Sequence, residues 1–179
     1  GERLTWVARA QGARQGLRYD PDMGSDARLS CSSSGWAWLS TLPDDDALSL
    51  LVKQGLGKPE DFGPNAPTTW PDVMAQVQRT RERGYSITVD TYTLGLSALS
   101  APVRFAGKPA FGVVTIAGPS VRLDAARLEA LATPLLACAQ QLAAASSASP
   151  FFQLTALPAD GVGASAASPA SGKRPIYAE

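Results

Sequence analysis

Residues 85 to 119 constrain the fold more than any other part of the chain. "YSITV" alternates polar and apolar, "GLSALSAPVRF" follows as a second extended run, "AGK" makes a tight turn, and "PAFGVVTIAG" is a third run that is almost continuously apolar. Alternation with period two marks a strand with one covered face, whereas an unbroken apolar run marks a strand covered on both. The block is expected to be a three-stranded antiparallel meander, with its second strand bent or ended near Pro102 and its third strand in a central position. Asp124 then stands where it can cap "AARLEALATPLLACAQQLAAA". There Leu128, Leu131, Leu135, Leu136, Ala139 and Leu142 recur at helical spacing, and Pro134 is expected to kink the helix or interrupt its ladder. Cys138, inside this helix, is expected to be a small core residue.

Upstream, residues 3–10 suggest a strand, "QGARQG" a hairpin turn and "LRYD" a return strand. A helix should start near Ser34, a favoured capping residue, and end at Pro43. Three aspartates at 44–46 suit the first turn of a second helix, whose apolar residues are Ala47, Leu48, Leu50 and Leu51, with Gly55 and Gly57 past its end. After a Pro/Gly-rich loop, Thr69 should cap a third helix. Val73, Met74 and Val77 form its buried stripe, while Gln76, Arg79, Arg81, Glu82 and Arg83 face water, and Gly84 stops it. The element order implies an α+β domain, one antiparallel sheet with helices packed on it. From Ser146 the composition turns to Ala, Ser, Gly and Pro, which cannot build a core. The expected organisation is a domain over 1–145 and a largely irregular tail over 146–179, pinned locally by Phe151, Phe152 and Leu154.

Composition removes several function classes. The 179 residues include no histidine and two cysteines, Cys31 and Cys138. Without histidine there is no Ser-His-Asp or Cys-His arrangement and no histidine-bearing zinc site, so an enzyme is disfavoured and no metal or cofactor is expected. Sixteen basic and 16 acidic residues balance, leaving no electrostatic footprint for nucleic acid. No run approaches the ~18 apolar residues of a membrane span. The cysteine usage suits a reducing, cytoplasmic compartment.

The block "RERGYSITVDTYTLGLSALSAPVRFAGKPAFGVVTIAGPSVRL" resembles the C-terminal effector-binding domain of the IclR family of bacterial transcription regulators. The family's R-x-x-G-Y-A segment corresponds to Arg81–Ser86 and its acidic patch to Asp90. Its G-[VL]-x-[CS]-[IL]-A-[AS]-P-[VI] strand corresponds to Gly95–Val103. Its S-[IV]-[SA]-G-P strand end corresponds to Thr115–Pro119, followed by Arg122. "LSCSSSGWAWLSTLPDDDALSLLVKQGLG" is similar to the family's L-H-x-T-A-x-G-[KR]-A-[LF]-L-A-x-L, acidic helix start and G-L stop. The resemblance covers about residues 3–145. It implies a GAF-like domain, a curved antiparallel sheet with helices on one side and a pocket on the other. It also implies a small organic acid as effector and assembly as a dimer or tetramer. DNA contact would come through a separate N-terminal helix-turn-helix domain. The chain begins at an early strand of the effector module, so it is expected to be a truncation or a lone sensor.

Carried over position by position, the resemblance assigns the acid end of the effector to Ser33 and Ser34. The opposite wall falls to Thr88, Leu96, Ala98, Thr115 and Ala117, with Tyr19 as a further member. The family's Lys or Arg after the helix glycine is Trp36 here, its cysteine or serine is Ala98, and a second strand serine is Ala117. The wall is therefore less polar, an aromatic acid becomes admissible, and amides and serine hydroxyls are left to hold the carboxylate. Helix N-termini favour such anions. Three alternatives stand beside this: serines that only cap the helix, a dimerisation module whose pocket is filled by Trp36 or Trp38, and a GAF-like enzyme using Cys31.

Overall fold

The computed structural model describes residues 3–10, 12, 19–20 and 22–147. They form helices α1 (Ser33–Leu39), α2 (Asp44–Gln54), α3 (Trp70–Arg83) and α4 (Ala125–Ser147), with strands β1 (Ser86–Val89), β2 (Leu96–Val103) and β3 (Gly112–Pro119) between α3 and α4. The strands make one antiparallel sheet in the order β1-β2-β3, so the chain is α+β as expected. The central strand among the described residues is β2, not β3. β2 is buried everywhere except Leu96 and Pro102, whereas β3 is half-buried from Gly112 to Ala117. What suits β2 to the middle is small size: Ser97, Ala98, Ser100 and Ala101 let helices approach from both faces. It also runs through Pro102 to Val103.

Leu99, Ala101 and Val103 point to one face and pack on Leu128, Ala132, Leu135, Ala139 and Ala143 of α4. Asp124 Oδ1 accepts from the Arg127 amide at 2.8 Å, capping this helix, which continues through the exposed Pro134. Cys138 is exposed, contrary to expectation, and so is Leu142 at 43%. Cys138 precedes Ala139 and is therefore turned by about 100° from the buried stripe.

The other face of β2 meets α1. Helices thus cover both faces of the sheet, rather than lying on one side only. α1 starts at Ser33, one residue earlier than expected, because Ser32 is its cap: Ser32 Oγ accepts from the Gly35 amide at 3.0 Å. Gly35 permits close packing here, since a Cβ at this position would lie 2.6 Å from Leu29 Cα. α1 ends at Leu39, before Pro43, whose carbonyl instead receives the Ala47 amide of α2. Every residue of α1 is buried, so Trp36 and Trp38 both join the core with Leu39, Ala47, Leu51, Val73 and Val77 despite pointing in different directions. Leu48 of α2 is 39% exposed.

Thr69 caps α3 and Gly84 ends it in the left-handed region at φ 82°. Arg81 does not face water. It donates to the carbonyls of Ser40 (3.1 Å) and Leu42 (2.7 Å) and pairs with Asp44, tying α3 to the turn between α1 and α2. A planar guanidinium suits this because the turn leaves two carbonyls facing the same way. At the N-terminus the expected strand is reduced among the described residues to a Thr5–Asp26 bridge, flanked by bonds from the Ala27 amide to the Leu4 carbonyl (2.7 Å) and from the Gly24 amide to the Trp6 carbonyl (2.9 Å). Most of the expected hairpin turn and return strand, and all of the tail beyond 147, lie outside the described residues. No helix among the described residues is long and apolar enough to cross a membrane.

Candidate functional site

Residues two apart on a strand share a face. The register sets Thr88, Ala98 and Ala117 side by side across the three strands, with Ser86, Ser100 and Thr115 as the next row. The start of α1 lies over these rows. Between them is a cavity of about 100 Å³. Its lining includes all eight residues singled out in the sequence: Tyr19, Ser33, Ser34, Thr88, Leu96, Ala98, Thr115 and Ala117. Trp36 and Trp38 do not line it, so neither fills the cavity; the tryptophan in its wall is Trp6.

The serines divide the work at the helix start. Ser32 makes the cap and also donates to the Arg28 carbonyl at 2.5 Å. Ser33 and Ser34 occupy the first two helical positions, where amides have no carbonyl of their own helix to bond. Ser34 Oγ lies 3.2 Å from Ser32 Oγ. Ser33 Oγ lies 2.8 Å from Ser100 Oγ, which in turn lies 2.8 Å from Thr115 Oγ1. Ser86 Oγ donates to the Ser33 carbonyl at 2.6 Å and fastens α1 to β1.

The sequence reading missed several lining residues, of which Arg28 matters most. Trp36 stands at the position of the family's cation, and Arg28 is the arginine among the residues that line the cavity. The Arg28 guanidinium carbon sits 5.5 Å from the centre of the Phe62 ring, within cation–π range, and Phe62 is 6.3 Å from the Tyr92 ring. Arg28 lies in a segment that has loop character in the sequence. The signal that places it is tertiary: the 57–62 loop folds back so that Gly57 and Phe62 flank the guanidinium. Asp22 and Asp26 also line the cavity, and Asp26 is paired with Arg3 at 2.8 Å. Burial, followed by the facing Tyr92 phenol, raises the pKa of Tyr19.

Cys31 is 1% exposed, and burial pushes its thiol up to about 11 against the opposing effects of Ser30 and Arg28. A thiol held protonated in this way is a poor nucleophile at neutral pH. Among the described residues no three of His, Cys, Asp or Glu gather as a metal site.

The profile "Bacterial transcriptional regulator IclR C-terminal" matches residues 1–144. Among curated proteins the chain is 25% identical over 107 residues to the HTH-type transcriptional repressor AllR of Escherichia coli K12, covering 60% of this chain and 38% of AllR. It is 28% identical over 126 residues to the acetate operon repressor of Salmonella typhimurium, covering 70% and 45%. The chain thus spans less than half the length of these relatives. Among solved structures it superposes on the transcriptional regulator YaiJ with TM-score 0.71 at 20% identity, covering 80% of this chain and 79% of that one. On the inducer-binding domain of a PobR double mutant from Acinetobacter, solved with 3-hydroxybenzoic acid, the TM-score is 0.67 at 22% identity, covering 80% and 83%. At such identities the structures speak for the fold alone, while the profile covers most of the chain: the protein belongs to the IclR family of bacterial transcriptional regulators, as a C-terminal regulatory domain.

Proposed function

We propose that this domain senses a small organic acid and that the cavity between α1 and the sheet is where the acid binds. The observation that carries this reading is the polarity of the cavity. Ser33, Ser34, the first amides of α1 and Arg28 give the lining its donors for a carboxylate, while Leu96, Ala98 and Ala117 add apolar wall. The PobR domain solved with 3-hydroxybenzoic acid supports an acid ligand for this fold. Size narrows the class. A cavity of about 100 Å³ is smaller than the ~150 Å³ that admits benzene, which favours acids of a few carbon atoms over aromatic ones.

Ser33, Ser34 and Arg28 receive the carboxylate; Thr88, Leu96, Ala98, Thr115, Ala117 and Tyr19 shape the space for the rest. The role is regulatory and non-enzymatic, in the cytoplasm. The acid shifts a conformational or assembly equilibrium of a dimer or tetramer by binding one state more tightly. DNA contact belongs to a separate helix-turn-helix domain of the full-length regulator. Thermal melts against a panel of two- to six-carbon acids and benzoates test the reading. An acid present at 100 times its Kd adds about 2.7 kcal/mol of stability. For a domain of this size that raises Tm by roughly 5–10 °C. No shift with any acid at 10 mM would refute it.

A further inference from the structure

Three hydroxyls run from one wall of the cavity to the other: Ser33 on α1, Ser100 on β2 and Thr115 on β3, joined by two contacts of 2.8 Å. Ser33 and Thr115 line the cavity, while Ser100 is fully buried behind it. Each hydroxyl carries one proton and two lone pairs. Ser100 can therefore donate to one neighbour only and must accept from the other. If both neighbours donated to Ser100, its own proton would be buried without an acceptor, which is costly. The chain consequently points one way at a time. Either Ser33 donates into the cavity and Thr115 offers a lone pair, or the reverse.

We propose that this hydroxyl chain selects the effector class: a short carboxylic acid that also bears an O–H or N–H donor, in preference to the matching oxo acid. The inference rests on the organic-acid reading above. A carboxylate at the α1 end draws the Ser33 proton. Ser100 then donates to Ser33, Thr115 donates to Ser100, and Thr115 has only a lone pair for the ligand. A hydroxyl or amino group on the ligand satisfies that lone pair; a keto oxygen meets it with another lone pair. Satisfying a keto oxygen would reverse all three hydroxyls and turn a lone pair of Ser33 toward the carboxylate. The ends of the chain are no farther apart than its two 2.8 Å contacts laid in line, which favours a donor close to the carboxylate, on the same or the neighbouring carbon. Ser100 is the positioning residue, since it touches no ligand and sets which end donates.

The test is calorimetric titration of the chain with two matched pairs, lactate against pyruvate and 3-hydroxybutyrate against acetoacetate. The hydroxy acid of at least one pair is expected to bind about tenfold more tightly than its oxo partner. Ser100→Ala frees both ends to donate independently, so the preference should shrink to within about twofold while acids still bind. Thr115→Ser keeps the chain and should keep the preference, whereas Thr115→Val keeps the shape without the hydroxyl and should lose it. Equal binding of the hydroxy and oxo acids by the parent chain overturns the proposal and leaves the organic-acid reading standing. So does a preference that survives unchanged in Ser100→Ala. Absence of binding by every acid refutes both.

Discussion

Replacing Gly35 with alanine places a methyl group where α1 meets the backbone of residues 28–29. The added carbon would lie 2.6 Å from Leu29 Cα, 2.8 Å from the Leu29 carbonyl oxygen and 2.9 Å from that of Arg28. Carbon atoms pack at ~3.5–4.0 Å, so the start of α1 has to retreat by about 1 Å, and no flexible side chain can absorb the shift. Overpacking of this kind costs about 1–3 kcal/mol. The retreat also stretches the bonds from the Ser32 amide (3.1 Å) and Ser32 Oγ (2.5 Å) to the Arg28 carbonyl. Each is worth about 1 kcal/mol. Alanine returns about 1 kcal/mol through its better helix propensity. The expected net loss is about 2–4 kcal/mol, a large share of the 5–15 kcal/mol typical of a domain. Urea unfolding followed by the fluorescence of the buried Trp36 and Trp38 measures it, with the midpoint falling by about 1–2 M. Gly112→Ala is the control, because the nearest atom to its added carbon is Val103 Cβ at 4.0 Å. A Gly35→Ala midpoint within about 0.3 M of the parent would refute the packing argument.

Arg81→Met leaves the Ser40 and Leu42 carbonyls without their guanidinium donor and should cost about 2–3 kcal/mol in urea unfolding. Lysine should recover less than half, because a point charge does not reproduce the planar fork. For Cys31, the unfolded chain loses the thiol proton near 9.0 while the folded chain holds it to about 11. Its contribution is complete below pH 9 and disappears as pH rises to about 11, an alkaline loss of up to about 2–3 kcal/mol. Cys31→Ala should flatten the pH–stability curve in that window, with the residual slope belonging to groups such as Tyr19, whose pKa is also raised. Arg28→Gln should weaken binding of small acids about tenfold, with little change in the urea midpoint. Raising NaCl from roughly 0.05 to 0.5 M should weaken acid binding to the parent more than to the variant, as calorimetry at both salts would show.

Capping and periodicity carry through to the structure wherever the deciding interaction is local. Thr69 and Asp124 cap their helices as expected, Gly84 ends α3, and the acidic run at 44–46 opens α2. The period-two face of each strand also survives, which explains why Thr88, Leu96, Ala98, Thr115 and Ala117 reach one cavity. The assignments that changed all depend on what lies opposite. β3 carries the bulkier, β-branched residues Val113, Val114 and Ile116, yet β2 takes the middle because its small residues admit a helix on each face. Cys138 and Leu142 fit the general spacing of the α4 stripe, but only the residues centred on Ala139 meet β2.

The same division runs through the site. Backbone propensity, side-chain period and the ordered family segments are properties of short stretches, and they marked out the helix start, the strand faces and eight of the sixteen residues that line the cavity. The cation at Arg28, the support that Arg81 gives the helical turn and the Ser33–Ser100–Thr115 chain join residues between 15 and 67 positions apart. Such contacts depend on hydrogen bonds and packing whose partners meet only when the loops have closed and the sheet has its register. No local pattern in "LSCSSSGWAWLS" says that one serine will cap the helix while the next will bond across the core to a strand.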